Sequence, residues 1–107
     1  MTDREYEPYF SIGVVSRMLN MHPQTIRNYE RLGLIAPGRT EGNIRLYSRN
    51  DIERLKIINT YTNMGVNLAG VEMILKMMEN MEQMKQTMEA QMAVMKQEIE
   101  KMHRELQ

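Results

Sequence analysis

Residues 21–34 form a short polar segment whose side-chain types suit hydrogen bonding to DNA. Pro23 fits the first position of a helix, where its missing N–H costs no hydrogen bond, and Gly33 fits the left-handed residue that follows a helix. Between them, Ile26 and Leu32 are expected to face a core. The remaining side chains carry amide, hydroxyl and guanidinium groups, which bind base edges and phosphate oxygens in a major groove: Gln24, Thr25, Arg27, Asn28 and Arg31.

A first helix is predicted immediately before this segment. Ser11 can cap its N-terminus, and apolar residues recur at roughly helical spacing as far as Leu19. Asn20 then tolerates the left-handed conformation that ends a helix. Two short helices joined by so tight a turn form a helix-turn-helix, whose second helix can enter the major groove.

Residues 39–47 predict a small β-hairpin around a Gly-Asn turn. Ile44 and Leu46 alternate with Arg45 and Tyr47, which predicts one apolar face and one face carrying the guanidinium and the phenol. Beside a helix-turn-helix, such a hairpin is a wing that places cations and a phenol on the DNA backbone. An ordinary surface hairpin is the alternative interpretation.

Two further helices are predicted after the hairpin. Ser48 and Asp51 match a capping box, which indicates a third helix that stops near Gly65. Asn67 can cap a fourth helix, and no Gly or Pro interrupts residues 76–107.

The fourth helix carries a stripe of large apolar side chains at spacings of 3-4-4-3-4-3-4, a heptad seam with one stutter. A single helix would expose this stripe to water, so a second copy of the chain is the simplest partner and a homodimer is expected. Thioether spacing of this kind also permits Cu(I) binding, but no Cys or clustered His assists, so no metal or cofactor is predicted. The predicted dimerisation residues are Met81, Met84, Met88, Met92, Met95, Ile99, Met102 and Leu106.

Charge is unevenly distributed although the whole chain is neutral. Residues 11–56 contain eight Arg or Lys against four acids, a net charge of +4, and seven of these eight cations are Arg. Arginine suits forked contacts with phosphate and guanine, which favours DNA as the partner.

Several classes of protein are disfavoured by what the sequence lacks. There is no Cys, no Gly-rich phosphate loop, no Ser/His/Asp set and no metal-ligand spacing, so the chain is not expected to be an enzyme. Neither a long apolar run nor a secretory leader occurs, so a cytoplasmic protein without a membrane segment is expected, associated with the nucleoid when bound to DNA.

Three motifs resemble the MerR family of transcription regulators over roughly residues 9–80. They are Phe10-Ser11-Ile12-Gly13-Val14-Val15, the run from Thr25 to Ile35, and Arg45-Leu46-Tyr47-Ser48 followed by Asp51-Ile52. Within the family, the Gly65-Val66-Asn67-Leu68-Ala69-Gly70-Val71 segment resembles the heat-shock repressor (HspR-like) subgroup. Nitrogen regulators of the GlnR/TnrA type have a similar segment.

The resemblance implies a mostly α fold with three parts. A flexible lead-in, residues 1–9, precedes a winged helix-turn-helix DNA-binding domain, residues 10–75, and residues 76–107 form a long helix of an antiparallel dimeric coiled coil. Many family members carry two adjacent tyrosines where this chain has Asn28-Tyr29, so a base contact by the first tyrosine does not transfer. The implied DNA-contacting residues are Gln24, Thr25, Arg27, Asn28, Tyr29, Arg39, Asn43, Arg45, Tyr47 and Asn67.

The function implied by the resemblance is sequence-specific binding of double-stranded DNA at an inverted repeat. The heat-shock subgroup implies repression of chaperone genes, with a DnaK-type chaperone as co-repressor. A nitrogen-responsive regulator is the closest alternative. A different class of function also stays open, in which the coil binds another coiled-coil protein and the chain is an adaptor without specific DNA binding.

Overall fold

A computed structural model describes residues 8–107. The predicted mostly helical architecture, with a small hairpin and a long C-terminal helix, is confirmed. The predicted lead-in lies outside the described residues except for Pro8 and Tyr9. The elements are α1 (Ile12–Leu19), α2 (Pro23–Arg31), β1 (Gly38–Arg39), β2 (Arg45–Leu46), α3 (Arg49–Asn63) and α4 (Leu68–Glu105).

Local hydrogen bonds fix the turn between α1 and α2. The Ser11 hydroxyl oxygen accepts a hydrogen bond from the Val14 N–H at 3.3 Å and caps α1. Asn20 ends the helix in the left-handed conformation, with φ of 52°. The Ser16 hydroxyl donates to the Met21 carbonyl across the turn. The conformation of Asn20 and the Ser16–Met21 hydrogen bond shape the turn that joins the two helices.

All four helices contribute to the core of the unit that ends at Glu72. Val15 of α1, Ile26 of α2, Leu55 and Ile58 of α3, and Val71 of α4 are completely buried. Burial of each such side chain favours folding by about 1.5–3 kcal/mol relative to exposure. The core therefore holds one side of α2 and leaves its polar side to solvent.

The end of α2 differs from the prediction that Leu32 faces the core. Leu32 lies one residue past the helix and is 52% exposed. Gly33 follows with φ of +79°, a conformation that reverses the chain direction and favours glycine. Because the chain turns there, Leu34 and Ile35 fill the core instead, each 3% exposed.

The predicted faces of the hairpin are also wrong. Ile44, expected on the apolar face, is 63% exposed, whereas Tyr47, expected on the DNA side, is completely buried. The two wing strands contain only two residues each, and Tyr47 lies beyond them. It pairs instead with Phe10, with two backbone hydrogen bonds of 2.8 Å, and this pairing carries its ring into the core.

The predicted caps of α3 and α4 are confirmed. The Ser48 N–H donates to the Asp51 carboxylate at 2.9 Å, and the Asp51 N–H donates to the Ser48 hydroxyl at 3.1 Å, which completes the capping box. At α4, the Asn67 side-chain oxygen accepts from the Gly70 N–H at 2.8 Å. A Cβ on Gly70 would lie 2.9 Å from Val66 Cγ1, so a side chain there would require Val66 to shift.

A second compact unit runs from Met73 to Gln107 and consists of the rest of α4 and its end. All eight predicted seam side chains lie in this unit, and each is between 59% and 86% exposed. Within residues 8–107, no helix combines the length and the apolar character needed to cross a membrane.

Tyr47 gives a test of the core. Its hydroxyl is buried and has no hydrogen-bond partner in the described part of the protein. Burial, followed by the nearby Glu30 carboxylate, raises the pKa of this phenol above its ordinary value of 10.0. The unfolded chain therefore loses this proton first, and the free energy of unfolding falls as the pH rises past about 10.

We expect Tyr47→Phe to leave the free energy of unfolding at neutral pH unchanged or to raise it by up to about 1 kcal/mol, because it removes an unpaired buried hydroxyl. The variant should also lose less stability than wild type above about pH 10. Urea denaturation at neutral pH and above about pH 10 measures the free energy of unfolding of each variant. Tyr9→Phe, a change at a surface phenol, is the control. A clear loss of stability in Tyr47→Phe at neutral pH would contradict this account.

Candidate nucleic-acid interface

Helix α2 is held so that its polar side faces solvent. Ile26 anchors the opposite side in the core. At the N-terminus, Pro23 occupies the first turn, and the His22 ring nitrogen Nδ1 accepts a hydrogen bond from the Gln24 N–H at 3.0 Å. The imidazole therefore acts as the helix cap, and its acceptor nitrogen must be unprotonated to do so.

Three of the predicted DNA-binding side chains contact one another along α2. The Gln24 amide donates to the Asn28 side-chain oxygen at 3.2 Å, and Arg27 Nη1 donates to the Gln24 side-chain oxygen at 3.4 Å. These amide and guanidinium groups are the ones that pair with two acceptor or donor atoms on adenine and guanine. Thr25 and Tyr29, one helical turn apart, are half-buried. We refer to Gln24, Arg27 and Asn28 as the polar row.

The wing, residues 38–46, is joined to α2 by Glu30. One Glu30 oxygen accepts from Arg39 Nη2 at 2.9 Å, and the other accepts from Arg45 Nε at 2.6 Å. The hydrogen bond to Glu30 raises the pKa of Arg45 above its already high ordinary value, so this guanidinium stays charged. Two predicted phosphate-binding residues, Arg39 and Arg45, thus lie together beside α2.

Glu30 was not among the residues predicted from sequence. A carboxylate disfavours contact with phosphate, so composition gave no reason to place it in a DNA-binding site. The sequence contains an acidic residue in a helix followed by two arginines in a hairpin. This pattern predicts such an ion pair only when the hairpin is known to pack against that helix.

The wing turn is stabilised mainly by backbone groups. Asn43 adopts the left-handed conformation with φ of 63°, and its carbonyl accepts from Arg39 Nη1 at 3.4 Å. The Thr40 hydroxyl oxygen accepts from the Ile44 N–H at 3.1 Å. The Asn43 side chain is exposed at the turn, as a phosphate contact requires.

Tyr47 and Asn67 have other structural roles. The expectation that the Tyr47 phenol lies on the DNA backbone is wrong, because the side chain is fully buried. Asn67 is exposed at the N-terminus of α4, where its side-chain oxygen caps the helix. Contacts between the other predicted residues and DNA remain predictions.

Part of the positive charge counted in residues 11–56 is committed to internal contacts. Arg54 donates through Nε and Nη2 to the Leu34 carbonyl, at 3.0 and 2.8 Å. Lys56 pairs with Glu53 at 3.0 Å. The positive charge available beside α2 is therefore smaller than the sequence count suggests.

Comparison with known proteins identifies the family. Residues 10–78 match the MerR HTH family regulatory proteins. The chain belongs to the MerR family. Among relatives of this MerR-family chain, GlnR of Bacillus anthracis, an HTH-type transcriptional regulator, is 36% identical over 103 residues, covering 96% of this chain and 80% of that protein. A putative heat shock protein HspR of Streptomyces coelicolor is 42% identical over 74 residues, covering 68% of this chain and 49% of that protein.

Solved structures agree on the fold. HiNmlR, a MerR family regulator lacking the sensor domain and solved bound to promoter DNA, superposes with a TM-score of 0.63 at 20% identity, covering 92% of this chain and 79% of that one. A MerR family transcriptional regulator from Bacillus cereus superposes with a TM-score of 0.62 at 22% identity, covering 84% of this chain and 72% of that one. The MerR-family chain is accordingly a DNA-binding transcriptional regulator rather than an enzyme.

The cap of the recognition helix can be tested by substitution. His22→Ala removes the acceptor for the Gln24 N–H, and we expect the free energy of unfolding to fall by about 1 kcal/mol at neutral pH. His22→Asn places an amide oxygen near the position of Nδ1 and should retain most of that stability. Chemical denaturation measures both variants, and equal losses in the two would show that the imidazole acts otherwise than as a cap.

Proposed function

We propose that this MerR-family regulator is a homodimeric repressor that binds an inverted repeat through two copies of α2. The observation that carries the proposal is the polar row, which lies on the side of α2 opposite buried Ile26, with Gln24 exposed and Arg27 and Asn28 half-buried. Gln24, Arg27 and Asn28 bind base edges or adjacent phosphates in the major groove. The mutual hydrogen bonds of the row limit the conformations of these side chains before DNA is bound, which lowers the entropy cost of binding.

Phosphate contacts would come from groups that flank the polar row. Arg39, Asn43 and Arg45 bind backbone phosphates from the wing, and Thr25 and Tyr29 contact the backbone or brace α2. Asn67 and the backbone N–H groups at the start of α4 add a further phosphate contact. Tyr47 supports this surface from the core rather than contacting DNA.

The seam of α4 supports the proposed dimer. Its eight exposed side chains form a continuous apolar stripe, and an open groove beside it is lined by Met92, Met95, Lys96, Ile99 and Glu100. An antiparallel helix of a second copy would bury this stripe. The helical residues 77–105 span about 44 Å at 1.5 Å per residue, enough to separate two DNA-binding units by about one helical turn of DNA, 34 Å.

Two sets of target genes are supported by different relatives. The identity of 42% to the putative heat shock protein HspR favours chaperone genes, which would make a DnaK-type chaperone the co-repressor. The similarity to GlnR extends over 96% of the chain and favours a nitrogen-responsive regulator as the second candidate. Sequencing genomic fragments bound by the protein would separate the two candidates, because the adjacent genes differ.

Arg27 is the substitution that tests base recognition. We expect Arg27→Ala to reduce affinity for a duplex enriched from a randomised pool by about ten- to a hundredfold, a loss of about 1–3 kcal/mol, and to reduce the specificity ratio. Lys101→Ala, which removes one exposed cation from α4, is the matched control and should leave the ratio unchanged. Uniformly weak binding of wild type to every duplex would refute the repressor proposal and favour an adaptor role.

The dimer is tested by placing charge in the seam. We expect Met88→Glu combined with Ile99→Glu to give monomers, since carboxylates at seam positions would have to be buried unpaired in the coil. Ala90→Glu combined with Gln97→Glu adds the same charge on the opposite side of α4 and should remain dimeric. Sedimentation equilibrium measures both, and a dimeric seam variant would mean that the interface lies elsewhere.

A further inference from the structure

We propose that Glu30 is a positioning residue that determines how strongly the regulator discriminates its operator from other DNA. The proposal rests on the proposed function, sequence-specific binding through α2 and the wing. Glu30 lies on α2, immediately beyond the polar row, and both of its partners lie in the wing.

The geometry shows one carboxylate shared by two arginines. Each Glu30 oxygen accepts from a different guanidinium, at 2.9 Å from Arg39 and 2.6 Å from Arg45. The Glu30 side chain is 17% exposed, whereas those of Arg39 and Arg45 are 36% and 30% exposed. The carboxylate therefore lies beneath the two cations, and the three side chains together present a net charge of +1 to the surface.

Both guanidiniums retain N–H groups for DNA. A guanidinium has five N–H donors in one plane. Within the described residues, Arg45 uses its Nε and Arg39 uses its two terminal nitrogens, which leaves the terminal nitrogens of Arg45 and the Nε of Arg39 without a partner. Glu30 consequently restrains both guanidinium groups without occupying all of their donors, and a restrained group loses less entropy on binding phosphate.

The same carboxylate has opposite effects on the two kinds of DNA complex. Sequence-independent affinity for DNA increases with the number of phosphates that Lys and Arg side chains neutralise. On any duplex, the negative charge of Glu30 offsets the charge of one arginine and therefore weakens this attraction. The fixed spacing between α2 and the wing helps only where both elements contact DNA together, as they do at an operator. Glu30 thus lowers non-specific affinity while it preserves specific affinity, and the ratio of the two increases.

The experiment compares three variants with wild type on two DNA probes. The probes are the duplex that wild type enriches from a randomised pool and a random-sequence duplex of the same length, with dissociation constants measured from about 50 to 200 mM salt. Glu30→Gln removes the charge, and Glu30→Asp keeps the charge but shortens the reach to the wing. Glu41→Gln is the matched control, because Glu41 is an exposed acid in the wing turn with no ion pair among the described residues.

We expect Glu30→Gln to bind the random duplex about three- to tenfold more tightly, with a plot of log K against log salt that is steeper by about 0.9. Its affinity for the enriched duplex should change by less than about twofold, so the specificity ratio falls. Glu30→Asp should match wild type on the random duplex and bind the enriched duplex several times more weakly. Glu41→Gln should shift both affinities together and keep the ratio.

The outcomes distinguish the inference from the proposed function. If wild type enriches no sequence from the pool, the proposed function fails and the role of Glu30 fails with it. If wild type enriches a sequence but both Glu30 variants keep the wild-type ratio, or if Glu30→Gln behaves as Glu41→Gln does, only the Glu30 inference is overturned. Thermal unfolding of each variant shows whether it folds. If Glu30→Gln does not fold, the specificity ratio of Glu30→Asp, which retains the charge, decides whether the inference holds.

Discussion

The ion pairs of Glu30 with Arg39 and Arg45 are the constraint on which the arrangement of the candidate DNA-binding surface depends. The wing strands contain two residues each, and a hairpin of that size is not stable alone in water. Its position relative to α2 must come from contacts outside the hairpin. Glu30 supplies these on the side of the recognition helix, and the pairing of Tyr47 with Phe10 supplies them at the base of the wing.

Features set by neighbouring residues were predictable from sequence, whereas features set by distant residues were not. The caps formed by Ser11, the capping-box pair and Asn67 depend on atoms within three residues of one another, and the sequence identified each. The burial of Tyr47 depends on Phe10, 37 positions away. The prediction from alternating residues assumed that the hairpin strands pair only with each other. The additional pairing of Tyr47 with Phe10 turns the Tyr47 side chain into the core instead of toward solvent.

The candidate site shows the same division. The polar row could be predicted because residues three and four apart share a side of a helix. The role of Glu30 could not, since its partners lie 9 and 15 positions later. Net charge was similarly an incomplete guide. It favoured residues 11–56 as the DNA-binding region, but the two hydrogen bonds from Arg54 to the Leu34 carbonyl show that a cation there can stabilise the fold instead.

The crowded first turn of α4 bears on how subgroups of the family are told apart. A Cβ on Gly70 would lie 2.9 Å from Val66 Cγ1 and 3.3 Å from the capping oxygen of Asn67, so the Val-Asn-Leu-Ala-Gly sequence there meets a local steric requirement. A larger residue at Gly70 would require the Val66 and Asn67 side chains to shift, whatever genes the chain controls. The segment that resembles both heat-shock and nitrogen regulators is thus a marker of backbone geometry. Regulatory lineage has to be sought in exposed positions such as Gln24, whose side chain is not confined by the core.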